Sequence, residues 1–224
     1  MPLQNRVTPE GEITATPHRG LMMGNRGGAF HLPDRTLGTR RWATRQWIAC
    51  VLEFKGRHRA AMMQPNRYTE LFFLDEATAL AAGHRPCLEC RRRDAEEFAA
   101  LWAATRQWPA PARAPEMDLD LHAERVGPQG RKITYRAELG GLPDGVFVRL
   151  EPIAGAQAYL VDGAHLFEWS PGGYQAAVPR PKRREVEVLT PRSIVAVLSS
   201  GYRPMLHPSV AALLASASSR GSAR

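Results

Sequence analysis

Apolar residues come in short runs whose spacing alternates between strand-like and helix-like. Leu71 to Leu74 is a compact apolar run of strand type. Asp75 follows it, and its carboxylate can accept from the free N–H groups of a first helical turn. Ala77 to Ala82 are mostly strong helix formers. Gly83 supplies the left-handed residue that ends the helix, and Pro86 prevents it from restarting. Upstream, Trp47 to Phe54 reads as a buried strand. Downstream, Phe98, Leu101, Trp102 and Thr105 fall at helical spacing and predict an amphipathic helix over 93–107. Trp108 to Pro115 holds three prolines in eight residues, which predicts an extended linker.

The second half carries the same kinds of signal. Tyr159 to Val161 and His165 to Trp169 read as two strands joined through Asp162-Gly163. Thr190 is placed to cap a helix with Pro191 in its first position and Gly201 at its end. The tail after Val210 is Ala/Ser-rich, partly helical, and expected to fray after Ser216.

Four segments of the first half recur in register in the second. Arg6–Ile13 matches Arg125–Ile133, Gly28–Phe30 matches Gly145–Phe147, Glu70–Asp75 matches Glu185–Thr190, and Leu80–Leu88 matches Leu198–Leu206, at an offset of about 118 residues. The expected fold is therefore α+β: two related small sheet-plus-helix units, an internal duplication, joined by a helical, acidic linker. The expected boundaries are 1–93 for the first unit, 94–124 for the helix and Pro-rich linker, 125–210 for the second, cysteine-free copy, and 211–224 for the tail.

Composition adds charge to this picture. The chain has 224 residues, 44% of them hydrophobic, and a formal net charge of +8. Only Lys55, Lys132 and Lys182 are lysines, so arginine supplies most of the positive charge. Between residues 35 and 67 eight Lys/Arg face one acid, Glu53, with Trp42, Trp47 and Phe54 interleaved. Cations mixed with aromatics suit a phosphate backbone and its exposed bases. Acids gather instead in the linker, at Asp94, Glu96, Glu97, Glu116, Asp118, Asp120 and Glu124. No apolar run reaches membrane-spanning length and no signal-peptide pattern opens the chain, so a cytoplasmic location without membrane contact is expected. Three cysteines, two of them in one C-x-x-C turn, read as thiols of a reducing compartment.

Candidate chemistry follows from these residues. Cys87 and Cys90 have knuckle spacing for zinc, and His58, Cys50, His84 and His31 are candidates to complete the ligand set, with His58 preferred. Arg26 lies in a glycine-rich loop that can cradle an anion. Arg40, Arg41, Arg45, Arg57, Arg59, Arg131 and Lys132 are the other candidate nucleic-acid contacts. Arg85 and Arg203 each follow a helix-ending glycine and an aromatic or histidine, and each is read as a phosphate clamp or as a partner of its own helix's last carbonyls. For acid–base work the candidates are His122 with Glu124, Glu70, and His31.

Ala79 to Cys90, Ala-Leu-Ala-Ala-Gly-His-Arg-Pro-Cys-Leu-Glu-Cys, with the strand before it and basic residues after it, resembles the metal-binding, methyl-accepting domain of the Ada DNA-repair family. The resemblance covers about residues 47–92. It implies a zinc site at Cys87 and Cys90 and a DNA-repair setting. In that family a first cysteine pair completes the site and accepts a methyl group from a DNA phosphotriester. Gly56 to Met63 occupies its place here and contains no cysteine. The expected function is binding of DNA, damaged or modified, in repair or defence. The alternative is a nucleic-acid-processing enzyme of glycosylase or nuclease type using a His/Glu/Arg site.

Overall fold

A computed structural model describes residues 1–56, 61–151 and 156–221, with side chains described to residue 216. It is an α+β protein of two six-stranded sheets and five α-helices among these residues. None of the helices is long and apolar enough to cross a membrane.

The first sheet is built from β1 (Gln4–Val7), β2 (Ile13–Ala15), β3 (Met22–Arg26), β4 (Trp47–Val51), β5 (Leu71–Phe73) and β6 (Arg85–Pro86). Their spatial order is β2-β1-β5-β3-β4-β6. Neighbours run antiparallel except at two places: β1 is parallel to β5 through Arg6 and Phe72, and β4 is parallel to β6 through Ile48–Arg85 and Ala49–Pro86. Gly24 sits where a Cβ would come 2.1 Å from the Ile48 carbonyl oxygen, so only glycine lets β3 and β4 lie this close.

Helix α1 (Glu76–Ala81) follows β5. Asp75 caps it, accepting from Thr78 N at 2.9 Å and Thr78 Oγ1 at 2.7 Å. Gly83, at φ +88°, ends the turn after it. A helix this short is unstable alone, and packing holds it: every one of its residues is buried. Ala77 and Ala81 share a core cluster with Phe147, Leu160 and Phe167 of the second half.

The segment between the two sheets contributes to the core. Helix α2 (Arg92–Thr105) inserts Phe98 and Trp102, and α3 (Ala114–Arg125) inserts Met117 and Leu121, into the core of the second sheet. The extended segment ends where α3 begins, and Pro115 sits in its first turn, where the missing N–H breaks no helical bond.

The second sheet contains β7 (Tyr135–Glu138), β8 (Phe147–Arg149), β9 (Ala158–Asp162), β10 (His165–Glu168), β11 (Ala177–Pro179) and β12 (Glu185–Val188), in the order β11-β10-β9-β8-β12-β7. All its pairings are antiparallel. The hairpin read at Asp162-Gly163 is β9–β10, with Gly163 at φ +54°. Helix α4 (Arg192–Ser199) follows β12, and α5 (Ser209–Gly221) ends the described chain. The cap of α4 differs from expectation. Thr190 Oγ1 accepts Phe147 N instead, and Pro191 is the residue before the first turn. Glu124 of α3 takes the capping role, accepting from Ser193 N at 2.8 Å and from Ser193 Oγ.

The sheets share an arrangement. In each, the strand that feeds a helix (β5 or β12) lies between two others, β1 and β3 or β7 and β8, with β4 or β9 beyond. The direction differs at one place, since β1 is parallel to β5 whereas β7 is antiparallel to β12.

Candidate functional site

Two constellations stand out, a thiol cluster at one edge of the first sheet and a cation-lined cleft where the two halves meet.

The thiol cluster follows from one strand pairing. Parallel β4 and β6 place Cys50 beside Cys87, and Cys87 N donates to Ala49 O at 3.0 Å. The tight turn after β6, fastened by Arg91 N to Cys87 O at 2.9 Å, carries Cys90 to the same spot. The three sulfurs lie within 4.8 Å of one another. Hydrogen bonding with Cys50 pushes the Cys87 thiol down to about 5 and lowers Cys90, while Cys50, beside both, is raised. The cluster thus favours thiolate on the C-x-x-C pair. Tetrahedral thiolates about 2.3 Å from a zinc ion stand roughly 3.8 Å apart, so a small closure of this triad supplies three ligands of a metal site. His58, the preferred further ligand, lies outside the described residues, as do Arg57 and Arg59. His84 is not a ligand: its ring accepts from Arg26 Nε at 3.4 Å and bonds Ala79 O at 3.3 Å.

The cleft encloses about 570 Å³. Its walls come from both halves: Arg26 at the end of β3, Trp42 in the connection that follows, Trp47 at the start of β4, Arg125 at the end of α3, Lys132 after it, and Arg149 of β8. Six cations line it (Arg26, Arg41, Arg125, Arg131, Lys132, Arg149) against two acids, Glu10 and Glu12.

The cations are held in an unusual way. Arg26 is 2% exposed and Arg125 3%, yet neither has an ion-pair partner among the described residues. Arg26 donates to Gly11 O at 2.8 Å and Arg41 O at 3.3 Å. Arg125 donates to Gly83 O at 2.6 Å and to Arg45 O. Both guanidinium carbons lie 4.0 Å from the centre of the Trp47 ring, whose face offers cation–π attraction. Lys132 Nζ donates to Ala81 O at the end of α1. Arg149 alone pairs with acids, Glu187 at 3.1 Å and Glu10 at 3.5 Å.

Burial and mutual repulsion depress these groups. Burial, then Arg41, pushes Arg26 down to about 9, and burial, then Arg26, pushes Arg125 down to about 9, so both stay cationic at neutral pH. Burial pushes the Lys132 ammonium down to about 7, with Arg26, Arg125 and Arg149 adding to the effect and Glu10 opposing it. Arg125 Nε and Arg149 Nε are buried donors without a partner. Buried donors normally find acceptors, so the cleft is short of negative charge and of hydrogen-bond acceptors.

The other sequence-derived residues fall outside such an arrangement. Arg85 is no phosphate clamp: its Nε and Nη2 donate to Asp118 at 2.9 and 2.8 Å in a buried bidentate pair. Arg203 reaches back to Leu198 O in the last turn of α4 and to the neighbouring Tyr202 O. Arg40 and Arg45 are exposed outside the cleft lining, while Arg41 and Arg131 are exposed at its mouth. His122 and Glu124 do not meet, because residues two apart on a helix point to different faces. Glu124 caps α4, and His122 packs edge-on against Trp42 and Trp47 at 5.8 and 6.5 Å between ring centres. Burial, then Arg125 and Arg45, lowers the His122 pKa. Glu70 accepts Met63 N at 2.7 Å and does not pair with Arg67, which is exposed. His31 uses both ring nitrogens, on Thr69 Oγ1 and Gln64 O.

Sequence reasoning missed Arg125 and Arg149 as parts of one site. Nothing local marks them; the signal is the meeting of α3, β8 and the first sheet. No protein-family model, curated protein or solved structure matches the chain. Fold and site together define an α+β protein with a three-cysteine cluster able to hold a metal ion and a cation-rich cleft between its halves.

Proposed function

We propose that this protein binds nucleic acid at the cleft between its two sheets, in the DNA-repair or DNA-modification setting that the Ada resemblance implies. The observation that carries the reading is the imbalance of the cleft. Arg26, Arg125 and Lys132 rest on main-chain carbonyls and not on carboxylates. Phosphates would supply the missing negative charge, and Arg41 and Arg131 at the mouth would follow the backbone on either side. Trp42 lines the cleft without being fully buried and offers a face for a base.

Zinc is the metal we assign to Cys50, Cys87 and Cys90, as a structural ion that fixes the β4–β6 edge, with His58 as the further ligand. The two sheet-plus-helix units descend, on this reading, from one duplicated unit, with 1–93 and 125–210 as its copies, the 94–124 segment between them and 211–224 as a tail. The shared placement of β5–α1 and β12–α4 in their sheets supports it.

The test is the salt dependence of binding to DNA oligonucleotides. On a log–log plot the slope should be roughly −0.9 per phosphate engaged, and Arg41→Ala and Arg131→Ala should each flatten it by about one unit. Binding that does not change with salt, or slopes unaffected by both variants, would overturn the reading.

A further inference from the structure

Lys132 differs from the chain's other lysines. Lys55 and Lys182 are exposed, whereas Lys132 lines the cleft and is half-buried. It is carried there by a short loop closed by the bridge between Val126 and Lys132, with Gln129 and Gly130 both at positive φ. Its ammonium faces Arg26 from the first sheet, Arg125 from α3 and Arg149 from the second sheet, and one acid, Glu10. Glu10 is engaged by Arg149, and no carboxylate among the described residues stands within ion-pair distance of Lys132. An amine partly withdrawn from water beside other cations sheds its proton readily and presents a lone pair at neutral pH, the condition for a nucleophilic lysine. The fall of its pKa to about 7 agrees with this geometry. Arg125 Nε and Arg149 Nε, unpartnered donors of the same cleft, are suited to a carbonyl oxygen or to the phosphate oxygens around it.

We propose that Lys132 is a covalent, imine-forming nucleophile for a carbonyl compound that carries phosphate. The Nζ lone pair adds to the carbonyl carbon, and the C=O π electrons move to oxygen. A proton passes from nitrogen to that oxygen, giving a carbinolamine. Loss of water then leaves a C=N bond between the ligand and Lys132. One carbonyl and one amine become one imine and one water, with no change in oxidation state and no co-reactant. Resting on the nucleic-acid reading above, the ligand is the ring-opened sugar aldehyde left in DNA where a base has been lost, flanked by phosphate on each side.

The experiment traps the imine by reduction with borohydride. The full-length protein is incubated with an oligonucleotide containing one abasic site, with the same oligonucleotide intact, and separately with glyceraldehyde 3-phosphate. Reduced adducts are mapped by peptide mass spectrometry. The expected result is a covalent adduct on Lys132 with abasic DNA and none with intact DNA. Lys132→Arg, which keeps the charge, should lower trapping at least tenfold, while Lys55→Arg and Lys182→Arg should leave it unchanged. An adduct on Lys132 with the small phosphorylated aldehyde, in a protein that shows no salt-dependent DNA binding, would support the nucleophile and sink the DNA reading. Salt-dependent DNA binding with no adduct from either aldehyde, or adducts on other amines at the same yield in Lys132→Arg, would overturn the proposal. Adduct mapping on the unaltered protein decides the question even if the variant folds poorly.

Discussion

Replacing Lys132 by methionine tests the electrostatics of the cleft directly. Methionine keeps an unbranched apolar stem but removes the ammonium. In the unfolded chain the lysine holds its proton up to about 10.5, and in the folded protein it gives it up at about 7. Between those values the unfolded state binds more protons, so this group makes stability rise with pH. Its penalty is complete below about pH 7 and gone above about 10.5. Each pKa unit is worth about 1.4 kcal/mol, which sets an upper bound of roughly 5 kcal/mol. Lys132 keeps contact with solvent, and screening brings the expected penalty to about 2–3 kcal/mol. The substitution also removes the bond to Ala81 O, a loss of about 1 kcal/mol that does not vary with pH. The informative quantity is therefore the pH dependence of the difference between the two proteins. Urea denaturation at about pH 6.5 and about pH 10 measures it. The advantage of Lys132→Met should be larger at the lower pH by about 2 kcal/mol. A difference that is constant with pH, or that grows as pH rises, would refute the reading of a desolvated ammonium among guanidinium groups.

Two further perturbations separate structural charges from available ones. Asp118→Asn strands the buried guanidinium of Arg85, so it should lower stability by about 3–5 kcal/mol and Tm by roughly 10 °C, measured by calorimetry; a loss under about 1 kcal/mol would mean that the pair does not hold Arg85 in place. Metal analysis of purified protein should find at most one zinc per chain, reduced in Cys50→Ser as strongly as in Cys87→Ser and Cys90→Ser; zinc undiminished in Cys50→Ser would remove Cys50 from the site.

Local signals were legible in the sequence, and long-range meetings were not. The run from Leu71 to Gly83 specifies its own strand, cap, helix and stop, and the structure follows it with Asp75 bonded as a cap and Gly83 left-handed. The hairpin at Asp162-Gly163 and the helix over Phe98 and Trp102 are similarly local. Helix α3 was hidden because Pro115 ends the Pro-rich stretch and also opens the helix, and a proline serves both purposes. The third thiol was visible only as a loose candidate. Its place beside Cys87 depends on β6, a strand of two residues that carries no periodicity to read. Arg85 was misjudged for a similar reason: its partner Asp118 is thirty-three positions away on a helix that the pattern did not show.

The contrast between two sets of buried cations gives the site its meaning. Arg85 and Arg91 are satisfied by carboxylates, Asp118 for the first and Glu76 and Asp94 for the second. Such pairs fix the positions of elements and leave little charge for a ligand. Arg26, Arg125 and Lys132 are satisfied by carbonyl oxygens, which orient the groups without cancelling their charge. A fold gains nothing in stability from crowding uncompensated cations. The arrangement persists because other contacts hold the two halves together. Asp75 accepts from Tyr174 and His207, and Glu76 accepts from Tyr202 and Met205, so the start of α1 in the first half is bonded to the second. These contacts press the first sheet against the strand that carries Arg149 and against the loop that carries Lys132. Net charge alone would have credited every arginine equally. What distinguishes the available ones is the kind of acceptor each already has, and by that criterion the cleft is where an anionic ligand gains most.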